Sequence, residues 1–144
     1  MAVVYHGKDT VFLLEDSAAS TLRNLSVNLT SVTLARQNDT HDSTGFGATG
    51  HAFVAGLTNG TIQIQGFWDD TASTGTATVA DSLLGLGTTT IGWEYGPEGN
   101  TTGDVKYSGE CVLQSLDYSS PVADLVTFSM TLQISGAVTK GTFA

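Results

Sequence analysis

The chain has 144 residues, of which 40% are hydrophobic and only 13% charged, and its formal net charge is −9. One domain of common size fits that length, and disorder, which goes with more charge and fewer apolar residues, does not fit the composition. The five basic residues, Lys8, Arg23, Arg36, Lys106 and Lys140, are scattered, which disfavours a tight grip on nucleic acid or an anionic membrane, because phosphate binding needs a basic cluster.

The charged share is about half the usual ~25%, and Thr, Ser, Gly and Asn fill the gap. Threonine, with its branched β-carbon and uncharged hydroxyl, suits a soluble pleated sheet. From the N-terminus, Met1 to Asp9 reads as an arm. It lacks a basic segment followed by an apolar run, so no signal peptide is expected, and no stretch reaches the ~20 apolar residues of a membrane span. Thr10 to Leu14 reads as a short strand ended by Glu15-Asp16-Ser17. Leu25, Val27 and Leu29 alternate with Ser26, Asn28 and Thr30, and the alternation resumes in the other phase at Val32 and Leu34. That change of phase predicts a bulge or bend near Thr30-Ser31.

Gln37 to Gly50 is polar and Gly-rich and reads as a long loop. His51 to Ala55 and Thr61 to Phe67 read as two strands joined by a tight turn over Gly56 to Gly60, where Asn59-Gly60 is a hairpin signal. One helix is expected over Thr78 to Leu86: Val79, Leu83 and Leu86 share a face, Thr78 caps it, and Gly85 and Gly87 end it. Strands follow at Thr90 to Tyr95 and Lys106 to Leu116, with turns at Gly96 to Asn100 and Tyr118 to Pro121. The clearest element is Val126 to Ser135, in which Val126, Phe128, Met130, Leu132 and Ile134 alternate strictly with Thr127, Ser129, Thr131, Gln133 and Ser135. A period of two over ten residues is a half-buried strand.

A search for chemistry finds little. Cys111 is the only cysteine, so no internal disulfide or cysteine metal cage is available, and a buried thiol is the simplest reading. His41, in Asp39-Thr40-His41-Asp42, has no second ligand at metal spacing. His6 and His51 have no nucleophile motif near them. Asp69-Asp70 lacks the alternating acids of a calcium loop and reads as a charged turn. Gly45-Phe46-Gly47 lacks the Lys-Ser/Thr ending of a phosphate loop. Trp68 and Trp93 could line a sugar-binding face, but packing is the commoner fate of a tryptophan beside a strand. No catalytic residue, metal ligand or cofactor is expected, and the chain is not read as an enzyme.

The uncharged polar faces remain to be accounted for. Asn24, Ser26, Asn28 and Thr30; Thr61, Gln63 and Gln65; and Thr127, Ser129, Thr131, Gln133 and Ser135 carry no charge, while the acids sit mainly in turns. An exposed sheet on a monomer usually mixes in Lys and Glu, which also block edge pairing. Either this is simply a low-charge surface, or these faces meet neighbours or line a shared cavity.

The order of elements resembles the tail tube proteins of long-tailed (siphovirus-like) bacteriophages. The resemblance is carried by Leu25 through Arg36, the loop with Asp42-Ser43-Thr44-Gly45-Phe46-Gly47, and the strand pair around Gly56 to Ile62. The later run Tyr95 to Gly99, the strand through Cys111, Pro121 to Asp124, the long strand after it, Ser135 to Val138 and Gly141-Thr142-Phe143 carry it further. It implies a single mainly β domain over residues 1–144, an antiparallel sandwich or barrel-like tail tube fold with one short flanking α-helix.

The resemblance further implies homohexameric rings in which four strands per subunit close a continuous inner barrel, stacked into a tube that viral DNA passes through during ejection without specific binding. On that reading Asn24, Ser26, Asn28, Thr61, Gln63, Gln65, Thr127, Ser129, Thr131 and Gln133 face the lumen. Tyr5, Arg36, Asp39, His41, Asp42 and Phe46 lie in the segments that contact the next ring, with Thr139 to Ala144 as a further bridging arm. Partners implied are further copies of the chain and other tail proteins, such as the tape measure and the terminator, with no membrane. The expected location is the virion tail, after assembly in the host cytoplasm. Two other classes compete: a capsid decoration protein, and a carbohydrate-binding β-sandwich using Trp68 or Trp93.

Overall fold

A computed structural model of the chain describes residues 3–16, 21–71, 75–87 and 89–144. Seven strands form one antiparallel sheet: β1 (Val11–Glu15), β2 (Leu22–Asn24), β3 (Leu29–Asp42), β4 (Phe53–Phe67), β5 (Ile91–Gly96), β6 (Val105–Ser119) and β7 (Thr127–Thr142), in the order β2-β1-β5-β6-β7-β4-β3. The sheet folds over on itself. Residues of strands far apart in that order, Phe12 and Leu14 of β1 and Ile62 and Ile64 of β4, share one buried cluster with Trp93, Cys111, Phe128, Met130 and Leu132. Helix α1 (Thr76–Ser82) flanks the sheet and adds Val79, Ala80 and, just beyond its end, Leu83. This is the mainly β, sandwich-like architecture with one helix that the sequence implies.

The alternation after Val126 is borne out: Phe128, Met130, Leu132 and Ile134 are all buried, and β7 continues on to Thr142. The change of phase near Thr30 is also there, as a register shift between the pairs Leu29↔Gly66 and Ser31↔Gln65. Before it, however, the strand expected from Leu25 is replaced by a turn of 3₁₀ helix over Ser26–Asn28. Leu25 is in helical backbone and buried, whereas Val27 is 92% exposed, so the apolar alternation there marks no common face. The Ser26 hydroxyl accepts a hydrogen bond from Phe12 N at 2.8 Å, and Leu25 N donates to Phe12 O. These bonds hold the crossing from the β1 side of the core to β3.

The tight hairpin expected at Gly56 to Gly60 does not form. β4 runs unbroken through it and pairs with β3 at Gln37↔Asn59 and Arg36↔Gly60. Long-range pairing overrides the local turn preference. Gly60 is used for closeness rather than turning, since a β-carbon there would lie 2.7 Å from Ala35 O. The loop expected over Gln37 to Gly50 therefore shortens: β3 continues to Asp42, and the irregular segment is 43–52.

The helix begins earlier than expected. Gly75, not Thr78, is at its N-cap, and Thr76 is buried, its hydroxyl donating to Phe67 O at 2.7 Å and accepting from Asp69 N at 3.1 Å. Gly85 (φ 77°) and Gly87 (φ 67°) stop it, in the left-handed backbone that glycine tolerates. The C-terminal segment is not a free arm. Thr142 pairs with Val105, and Phe143 exchanges backbone bonds of 2.9 Å with Gly103 and Asp104.

Candidate assembly faces

Cross-strand pairs that sit directly opposite share one side of a sheet. Following the register outward from β7 gives a continuous four-stranded face. Thr127, Ser129, Thr131 and Gln133 lie opposite Phe67, Gln65, Gln63 and Thr61 of β4. Those β4 residues continue to Ser31, Thr33 and Ala35 of β3, through Ser31↔Gln65, Thr33↔Gln63 and Ala35↔Thr61. On the other flank Thr127, Ser129 and Thr131 lie opposite Ser119, Asp117 and Ser115 of β6. The opposite side of the same four strands carries the buried Ile62, Ile64, Phe128, Met130 and Leu132. The result is a face of hydroxyls and amides across β6-β7-β4-β3 in which Asp117 is the one formal charge.

Seven of the ten residues expected on a polar face, those of β4 and β7, are together here. Asn24, Ser26 and Asn28 are not. Asn24 ends β2 and accepts from Ser26 N at 3.0 Å, Ser26 holds Phe12, and the Asn28 amide donates to Asp69 at 2.7 Å. Their polar groups tie a crossover down instead of presenting a surface. Ser31 and Thr33, and the β6 set Ser115, Asp117 and Ser119, complete the face without having been singled out. A register shift between Leu113 and Ser115 breaks the period of β6, although Leu116 and Tyr118 still alternate with Ser115, Asp117 and Ser119.

Two strand edges bound this face. β3 pairs only with β4, and the stretch of β6 beyond Cys111 pairs only with β7. Each presents unpaired backbone N–H and C=O groups on its outer side, and neither carries the lysines or prolines that usually blunt an edge.

The upper part of β4 leaves β7 behind after Thr61↔Gln133 and continues with β3 as a two-stranded arm. At the branch, the Gln133 amide donates to both Asn59 Oδ1 (2.8 Å) and Gly60 O (3.0 Å). The cleft between the arm and β7, about 370 Å³, is lined by Arg36, Asn38, Thr58, Ile134 and Val138 among others. Phe53 to Gly60 reaches about 25 Å at strand rise. Arg36 is at the arm's root over the Tyr107 ring, 6.0 Å from its centroid. Asp39 and the His41 imidazole lie against Gly56.

Near the tip Asp42 caps the loop. It accepts from Thr44 N at 2.8 Å, and hydrogen bonding to Thr44 holds its carboxyl below the usual aspartate range, with a smaller contribution from His51. Phe46 at the tip is fully exposed, and Phe53, Val54 and Leu57 are exposed along the arm. Of the residues expected at contacts between rings, Arg36, Asp39, His41, Asp42 and Phe46 therefore share one arm. Tyr5 is separate, exposed in the N-terminal segment ahead of a 3₁₀ turn at Gly7–Asp9.

The remaining candidates have local roles. The Asp69 carboxylate is engaged by Thr71 Oγ1 (2.7 Å), Thr71 N (3.0 Å) and Asn28, which lowers its pKa, chiefly through Thr71. Among the described residues no group of three His, Cys, Asp or Glu is placed to hold a metal. Trp93 is buried in the core beside Gly109, so it offers no sugar platform, whereas Trp68 is 43% exposed. Cys111 is buried and its thiol pKa is pushed up to about 12, mainly by desolvation, which leaves it unreactive at neutral pH. Tyr118 donates to Asp81 of α1 at 2.6 Å.

The phage tail tube protein family model matches residues 4–140. Among solved structures, the fold is similar to a chain of the virion of a native gene transfer agent particle, at TM-score 0.76 and 15% identity, covering 96% of this chain and 99% of that one. It is also similar to the SPP1 tail tube, at TM-score 0.77 and 14% identity, covering 98% and 81%. A third, at TM-score 0.75 and 13% identity, is in the tail of an empty gene transfer agent particle refined with C6 symmetry, covering 96% and 99%. No curated protein gives a significant match.

Proposed function

Because the chain belongs to the phage tail tube protein family, we propose that six copies close into a ring whose inner wall is the face across β6-β7-β4-β3, and that rings stack into a channel for DNA ejection. The observation that carries this is the uncharged four-stranded face bounded by two unpaired edges. Edge β3 of one copy meets edge β6 of the next, and closure satisfies the backbone groups both leave open. The C6 symmetry of the gene transfer agent tail supports six.

A wall of hydroxyls and amides gives DNA phosphates nothing to bind, and the one charge, Asp117, repels them. DNA passes without being read. The hairpin arm, with Arg36, Asp39, His41, Asp42 and Phe46, and the N-terminal segment with Tyr5 bridge rings. The tape measure occupies the channel during assembly in the host cytoplasm, and a terminator protein caps the last ring.

Negative-stain microscopy of the concentrated protein tests this reading. Sixfold rings or tubes support it, and monomers, or trimers that coat capsids, contradict it. A second expectation concerns the wall. Asp117→Lys places six cations around each ring, so particles carrying it eject DNA more slowly in a dye-release assay. Ejection at the wild-type rate would remove Asp117 from the channel.

A further inference from the structure

The two ends of the strand ladder carry opposite features. At one end is the arm, with Phe46 113% and Leu57 81% exposed. At the other, β4 ends in Phe67 and Trp68, and the ladder closes with Phe67↔Thr127 and a 3.0 Å bond from Trp68 N to Val126 O. This places Trp68 beside Val126 and Leu125, all substantially exposed, with Leu125 at 62%. Neither set packs against the core. Charge is divided along the same axis. The Trp68 end carries Asp69, Asp70, Asp81, Asp117 and Asp124 and no Lys or Arg. Lys8, Arg36, Lys106 and Lys140 lie towards the arm end, and Arg23 is paired with Asp16.

Resting on the stacked-ring reading, we propose that the apolar end formed by Phe67, Trp68, Leu125 and Val126 is the docking surface for the hairpin arm of a second copy, in the next ring. Because the arm and its receiving surface are at opposite ends of one chain, the contact is heterologous and does not close on itself. Such a contact generates an open filament. Apolar groups meet at the centre of the contact, and the acidic end of one copy faces the end of its neighbour that holds the cations, so the stack has a single polarity.

The test uses the full-length chain with Leu57→Cys and Leu125→Cys combined, since Cys111 is buried and inert. Oxidation of the assembled protein is expected to yield a ladder of covalent multimers on denaturing gels, with either single variant stopping at dimers. In parallel, Leu125→Asp, on an exposed turn that leaves the core intact, is expected to keep rings but shorten tubes at least tenfold. Wild-type tubes in which the double variant gives no ladder, or stops at dimers as a like-to-like contact would, overturn the docking surface while leaving the ring reading standing. Full-length tubes from Leu125→Asp overturn it as well. A wild-type chain that forms neither rings nor tubes overturns both.

Discussion

Leu132→Ala lowers the unfolding free energy of the subunit by about 3 kcal/mol, in the range of about 2–5 kcal/mol for buried leucine truncation. Leu132 is fully buried and lies opposite Ile62 on one flank and Leu113 on the other. It therefore sits where β6, β7 and β4 are held side by side under the polar face. Neighbours on both sides are fixed by backbone pairing, so the site cannot collapse far to fill the void. Urea unfolding followed by circular dichroism, at a concentration below assembly, measures it. A loss under about 1 kcal/mol would mean that this part of the sheet is looser than its register implies.

Shortening the arm has the largest effect on assembly and a small one on folding. Asn38 and Thr58 are a cross-strand pair, so residues 39–57 can be replaced by an Asn-Gly turn that suits a two-residue hairpin. No core residue lies in the deleted stretch, and shortening a surface loop changes its closure entropy only slightly. The variant keeps a thermal midpoint within a few degrees of wild type, on the scale of about 1 kcal/mol. It forms no tubes, because rings lose the segment that reaches their neighbours. Differential scanning calorimetry and microscopy on the same sample check both halves. Normal tubes would show that the arm is dispensable.

The parts of the fold legible in the sequence are those where one side of a strand is buried along its whole length. Val126 to Ser135 and Thr61 to Phe67 alternate because Ile62, Ile64, Phe128, Met130 and Leu132 share a core, and burial imposes the period. Where burial is one-sided for only a residue or two, the pattern misleads. Leu25, Val27 and Leu29 alternate as a strand would, yet only Leu25 is buried, and hydrogen bonding to Phe12 decides the local backbone.

The arm was illegible for a related reason. With no core beneath it, neither of its strands shows a period, so Gln37 to Asp42 looks like loop. Asn59-Gly60 looks like a turn because its partners, Gln37, Arg36 and Gln133, are far away in sequence. Of the polar face, the β4 and β7 members could be read from alternation. The β6 members were hidden by the irregularity at Gln114, which spaces Leu113 and Leu116 three apart. That only Asp117 among the acids reaches the face follows from register, which no single strand reveals.

A sixfold-averaged cryo-microscopy reconstruction of assembled tubes tests the central claim most directly. The account predicts that Gln63, Gln65, Ser129, Thr131 and Asp117 line the bore, with β3 of one subunit hydrogen-bonded to β6 of the next. A tube whose bore is lined by other strands, or subunits whose β3 and β6 edges remain unpaired, would contradict it.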